Sequence, residues 1–127
     1  MPLRMRLTAV NLDCPDPLAL AAFYARATGL PLHERSDAEF AGLVGEHGLV
    51  LGFQRADDHR PPTWPDGEVP AQLHLDFEVD DLDAAVTELT ALGATLPPTQ
   101  PHPDRWRVLL DPAGHPFCLS PRKPHST

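Results

Sequence analysis

The stretch LTAVNLDCPDPLALAAFYARATG (7–29) has a counterpart 65 residues later, QLHLDFEVDDLDAAVTELTALG (72–93). At this offset Ala9 falls on His74 and Asp16 on Asp81. Each copy begins with the two-residue alternation of a half-buried strand. In the second copy Leu73, Leu75, Phe77 and Val79 share one face, and His74, Asp76 and Glu78 share the other. In the first, Thr8, Val10 and Leu12 oppose Ala9, Asn11 and Asp13. Each strand runs into a helix-start signal. Asp16 precedes Pro17, the residue favoured at a first helical position, and Asp81 stands in the matching place. Leu82, Ala85, Val86, Leu89 and Leu92 then recur at the spacing of a helix that lies on a sheet. Gly29 and Gly93 stand where a helix end takes a left-handed residue.

The repeat continues beyond the helices. LVGEHGLVLGF (43–53) aligns with LLDPAGHPFCL (109–119) at an offset of 66, which pairs Gly48 with Gly114, Gly52 with Cys118 and Phe53 with Leu119. Both segments read as strand, tight turn, strand, and the DPAG turn at 111–114 has proline and glycine where a turn uses them. A short strand is expected before each of these hairpins, around Leu32–Arg35 and around Thr95–Leu96. The predicted fold is therefore α+β, made of two tandem βαβββ units. Unit one covers 5–56, a proline-rich linker covers 57–70, and unit two covers 71–121, all read as one domain, with a frayed tail at 122–127. PPTWPDGEVP (61–70) and PPTQPHP (97–103) are stiff connections, because proline excludes helix and central strand.

Composition narrows the function. The 127 residues carry a formal net charge of −8 and 42% hydrophobic residues. A strongly acidic chain is a poor partner for nucleic acid or an anionic membrane, both of which need clustered Lys and Arg. No apolar run approaches the roughly 20 residues of a membrane span, and the N-terminus has no signal-peptide pattern. A cytoplasmic location is expected. The two cysteines, Cys14 and Cys118, make neither a disulfide framework nor a CxxC site. Nine arginines against one lysine, with abundant Ala, Pro and Asp, suggest a high-GC bacterial genome.

Three segments carry a family likeness: DPLALAAFYARATGLPL (16–32), VDDLDAAVTELTALGA (79–94) and WRVLLDPAGHPFCLSP (106–121). On these, from about Leu7 to Pro121, the chain resembles the vicinal oxygen chelate superfamily of glyoxalases, bleomycin-resistance proteins and dioxygenases. The resemblance implies a curled, open mixed sheet around a small-molecule groove, and a homodimer. Enzymatic members hold a divalent metal there through four side chains, two from each unit. The metal binds two substrate oxygens as a Lewis acid or activates dioxygen. Drug-binding members use the groove without metal chemistry.

The repeat places the four implied ligand positions at Ala9, Gly52, His74 and Cys118. His74 matches. Ala9 and Gly52 have no donor, and Cys118 stands where glutamate is usual. A catalytic metal generally takes three protein ligands, so no metal or other cofactor is expected; a divalent metal remains the alternative. His74 and Asp76 are then candidates for ligand contact, or for acid–base work if the protein is an enzyme. Asn11 shares their face by alternation. Cys118 has no neighbouring base or helix terminus that would make it a nucleophile. Trp64 sits in a proline-rich loop with no core reason to be there, and Trp106 opens a strand. Both are candidate platforms for a flat ligand.

The ligand-binding set is therefore His74, Asp76, Trp106, Trp64, Asn11 and Cys118. The expected function is metal-independent binding of an aromatic or hydrophobic compound with room for a cationic group, in the manner of a drug-sequestering resistance protein. The alternative is a glyoxalase-type lyase, isomerase or dioxygenase, working through a non-standard metal site around His74 and Cys118 or through His74 with Asp76.

Overall fold

The computed structural model describes residues 3–65 and 67–122. Within them the element order is β1 (Ala9–Cys14), α1 (Pro17–Thr28), β2 (Phe40–Val44), β3 (Val50–Arg55), β4 (Leu75–Val79), α2 (Leu82–Leu92), β5 (Arg107–Leu110) and β6 (Pro116–Pro121). The chain divides into two compact units with the boundary between His59 and Arg60. The proline-rich segment thus groups mainly with the second unit, where Pro61 packs against Gly114.

Each unit is a three-stranded mixed sheet with one helix. The strand orders are β1-β3-β2 and β4-β6-β5. The first strand of each unit runs parallel to the last, and the hairpin strands are antiparallel. The registers reproduce the sequence repeat. Asn11 opposes Gly52 as Asp76 opposes Cys118, and Leu12 opposes Phe53 as Phe77 opposes Leu119. The offsets of 65 for β1 to β4 and 66 for the hairpin therefore describe the hydrogen-bonded ladder as well as the letters.

Helix ends behave as their residues dictate. The Asp16 carboxylate accepts from the Ala19 N–H at 3.2 Å, and the Asp81 carboxylate accepts from the Ala84 N–H at 3.0 Å. Gly29 ends α1 at φ 76 and Gly93 ends α2 at φ 120, a region that side chains with a Cβ avoid. Leu20, Ala21, Phe23 and Tyr24 bury one face of α1, and Tyr24 stacks on Phe53 with ring centroids 5.5 Å apart. On α2 the least exposed residues are the five of the expected stripe, and Leu89 is the buried one. The second core closes through Phe117, Leu119, Val108 and Leu109, with Phe77 edge-on to Phe117 at 6.0 Å.

The structure corrects one element of the βαβββ reading. The second strand of each unit is reduced to a single bridge, Leu32 to Leu43 in unit one and Thr95 to Leu110 in unit two. Pro31 has no N–H to donate, and Pro97 and Pro98 end the run after Thr95. Side chains finish the sheet edge instead. Gln100 Nε2 donates to the Val108 carbonyl at 2.9 Å, and Gln100 Oε1 accepts from the Val108 N–H at 2.9 Å. At the repeat-equivalent Gly42, the N–H donates to Ser36 Oγ at 3.1 Å. Gln100→Ala leaves both backbone groups of a buried residue without these partners. The expected cost is about 1–3 kcal/mol of stability, read as a shift in urea midpoint, and Gln100→Glu, which cannot donate, recovers little of it.

The expected tail lies outside the described residues except for Arg122, whose N–H still bonds to the Val79 carbonyl at 2.7 Å.

Candidate functional site

In unit two, β4, β5 and β6 and the two proline-rich loops enclose a groove of about 510 Å³. His74 stands immediately before β4, and Asp76 follows two residues later on the same face, as strand periodicity requires. Cys118 on β6 lies directly across from Asp76 in the parallel ladder. His74 Nε2 is 3.4 Å from Asp76 Oδ1, and donor atoms of His74, Asp76 and Cys118 all lie within 4.8 Å of one another. Val108, Pro101 and Pro116 supply apolar walls, and Ala71 and Ser120 complete the lining.

Both tryptophans line this groove. Trp106 immediately precedes β5, and its ring lies 4.6 Å from that of His102, centroid to centroid. Strand register settles the facing that alternation alone left open. Val108 lines the groove with Trp106, while the intervening Arg107 turns to α2, where its guanidinium donates to Asp83 at 2.9 Å. Trp64 reaches the same groove from the proline-rich segment, which closes on itself through the Thr63 N–H to the Val69 carbonyl at 2.7 Å.

Of the six residues singled out in the sequence, five therefore surround one groove: His74, Asp76, Trp106, Trp64 and Cys118. Asn11 belongs to unit one. A Cβ built on Gly52 would overlap the Asn11 amide oxygen and would meet the Phe40 ring at 2.6 Å. Unit one thus has no donor at Ala9 or Gly52, and the space over Gly52 is filled. The four positions implied for a family metal do not fit that group. Glu78 and Asp13 share strands with the site residues but do not line the groove.

Pro101, Pro116 and Ser120 were not singled out in the sequence. Pro101 belongs to a loop with no periodicity, so no pattern could have placed it. Pro116 and Ser120 alternate with Cys118 on β6, and that alternation was a usable signal. Asp111 was also missed. It is 4% exposed, and its carboxylate accepts from the Ala113 and His115 N–H groups at 2.9 and 3.0 Å, which shapes the turn before β6.

Burial pushes the Cys118 thiol above its ordinary value, and the Asp76 carboxylate adds to this by its charge and by accepting a hydrogen bond from the thiol. A thiol held protonated is a weak nucleophile at neutral pH. Alkylation of Cys118 by iodoacetamide is expected to be slower at pH 7.5 than that of an unperturbed peptide thiol. It should accelerate as pH rises through the elevated value, and Asp76→Asn should shift that profile to lower pH. Mass mapping of the modified cysteine checks both statements.

A model of the glyoxalase-like domain matches residues 9–120. The chain belongs to this glyoxalase-like family. It falls within the vicinal oxygen chelate superfamily, as its structural neighbours also indicate. A glyoxalase/bleomycin resistance protein/dioxygenase family enzyme from Burkholderia phytofirmans is 25% identical, with a TM-score of 0.68 over 92% of this chain and 98% of that one. The bleomycin-binding protein of Streptomyces verticillus, solved with copper(II)-bleomycin, is 20% identical, with a TM-score of 0.59 over 96% of this chain and 100% of its own. A fosfomycin resistance protein from Listeria monocytogenes, solved with Mn(II) and a dihydroxypropylphosphonic acid, is 18% identical, with a TM-score of 0.68 over 93% of each chain. The last two likenesses show the fold alone. No curated protein matches the sequence. Among the described residues of this glyoxalase-like protein, no helix is long and apolar enough to cross a membrane.

Proposed function

We infer that this glyoxalase-like protein binds a small aromatic or hydrophobic compound in the groove of unit two, and that binding needs no metal. One observation carries the reading: a groove of about 510 Å³ has two tryptophans and apolar walls around a short polar patch. That is the usual make-up of a small-molecule site, where apolar surface gives affinity and a few polar groups give orientation. Asp76 is the one carboxylate among the described lining residues, so a basic group on the ligand has a partner there. The missing donors at Ala9 and Gly52 support independence from the family's four-ligand metal. A drug-sequestering role follows from tight binding without turnover, and the bleomycin-binding neighbour gives that role a precedent on this fold.

The test is a thermal-shift screen of cationic aromatic compounds against protein held in a chelator. A stabilising compound recovered unchanged in mass after prolonged incubation supports sequestration. Stabilisation that appears only after a divalent metal is added sinks the reading.

A second reading is favoured by the 3.4 Å approach of His74 Nε2 to Asp76 Oδ1. A carboxylate that orients an imidazole makes a serviceable general base, which suits a lyase or isomerase acting next to a carbonyl. Conversion of a bound compound by the wild-type protein, abolished in His74→Ala, would establish it over sequestration.

A further inference from the structure

We propose that unit one holds a second binding site, for a small apolar carboxylic acid whose head group is taken by Arg35. The site is a cleft of about 420 Å³ that lies wholly within unit one, lined by β1, β2, β3 and the loop between α1 and β2. By the repeat it is the counterpart of the unit-two groove. At an offset of 65 Ala9 falls on His74, and at 66 Phe40 falls on Trp106 and Val50 on Pro116. The first of each pair lines the cleft and the second lines the groove.

The two differ in sign. The unit-two groove has the Asp76 carboxylate, and the repeat puts the neutral Asn11 in that place. No Asp or Glu is among the described residues that line the unit-one cleft, although the chain carries a formal net charge of −8. Arg35, His33 and Ser36 line it instead. The Arg35 guanidinium has no carboxylate partner among the described residues, whereas those of Arg55 and Arg107 each meet one at 2.9 Å. A full positive charge thus faces a cleft with nothing of opposite sign in it.

The donors are held in place in the free protein. The His33 N–H donates to the Gly42 carbonyl at 2.7 Å and the Ser36 N–H to the His33 carbonyl at 3.0 Å, which pins the loop to the edge of β2. His33 Nδ1 accepts from the Arg35 N–H at 3.1 Å, so the neutral ring carries its proton on Nε2. Ser36 Oγ accepts from the Gly42 N–H at 3.1 Å, which leaves its O–H to donate elsewhere. Groups fixed in this way lose little freedom when a ligand arrives.

The donor set also chooses the head group. The planar Arg35 fork offers paired N–H groups, and the Ser36 O–H and His33 Nε2–H add to them, a set that suits the roughly four lone-pair sites of a carboxylate. One guanidinium balances one carboxylate and leaves a phosphate dianion undercompensated. The cleft is far larger than the head group, and Phe40, Val50 and Ala9 give apolar surface for the rest of the molecule.

Isothermal titration calorimetry of the untagged full-length protein with sodium benzoate and with cyclohexanecarboxylate tests this site, and its failure would leave the unit-two reading standing. One saturable site is expected, with benzamide, the uncharged analogue of benzoate, bound at least about tenfold more weakly. Arg35→Gln should weaken carboxylate binding by at least about tenfold, and Arg35→Lys, which keeps the charge and loses the fork, by less. Arg26→Gln removes the same charge from the exposed end of α1 and should bind as the wild type does. Circular dichroism on each variant confirms that it is folded. Absence of saturable binding by either carboxylate overturns the proposal. So does equal affinity for benzamide, an affinity unchanged in Arg35→Gln, or an equal loss in Arg26→Gln. Phenyl phosphate bound more tightly than benzoate would overturn the assignment to carboxylic acids.

Discussion

Phe53→Ala lowers the unfolding free energy by about 3–5 kcal/mol. The side chain is fully buried on β3 and stacks at 5.5 Å on Tyr24 of α1. Truncation removes that ring contact and opens a cavity that rigid strand backbone cannot close. Against a usual total of about 5–15 kcal/mol, the loss is a large fraction of the stability. Urea denaturation followed by far-ultraviolet circular dichroism checks it. The midpoint should fall sharply with little change in slope. A loss under about 1 kcal/mol would mean that the α1 face is not packed as described.

The second large effect concerns the groove. Trp106→Ala is expected to weaken ligand binding by about thirtyfold, the size of a hot-spot truncation of about 2 kcal/mol. Trp106 is only partly buried and presents its ring to the groove, with His102 against it at 4.6 Å. Its removal therefore costs ligand contact more than it costs core packing. Thermal stability of the free protein should change little, while the stabilisation by bound compound collapses. Trp64→Ala should act in the same direction, because Trp64 faces the same space from the proline-rich segment. Equal affinity in the Trp106→Ala protein would remove the stacking platform from the account.

Most of the fold was legible because its signals are local. Asp16 and Asp81 cap as their side chains dictate, Gly29 and Gly93 end the helices, and the α2 stripe is its least exposed face. The repeat did more than suggest a duplicated unit. Its two offsets carry the register of β1 on β3 onto that of β4 on β6, down to Asn11 with Gly52 and Asp76 with Cys118. The short second strands failed for a physical reason. A bridge at Leu32 or Thr95 needs only two backbone bonds, and nothing local to those residues announces that Ser36 and Gln100 side chains complete the edge.

The candidate site was legible where strand alternation governs, at His74, Asp76 and Cys118, and where a residue was out of place, as Trp64 is in its proline-rich loop. The facing of Trp106 was not, since it follows from the register of β5 on β6, which pairs Val108 with Cys118 and turns Arg107 to Asp83, 24 positions earlier on α2. The filled space over Gly52 was equally hidden. The absence of a donor is visible in a glycine, but the occupation of its space by Phe40, twelve residues away in the chain, is a tertiary fact.

The most direct test of the central claim is intrinsic tryptophan fluorescence in the presence of a chelator, with cationic aromatic compounds titrated into the wild-type protein and Trp106→Ala. Saturable quenching in the metal-free wild type, with affinity reduced about thirtyfold in the variant, is the predicted result. Quenching that requires added metal, or that is unchanged in the variant, would contradict a metal-independent groove built on Trp106.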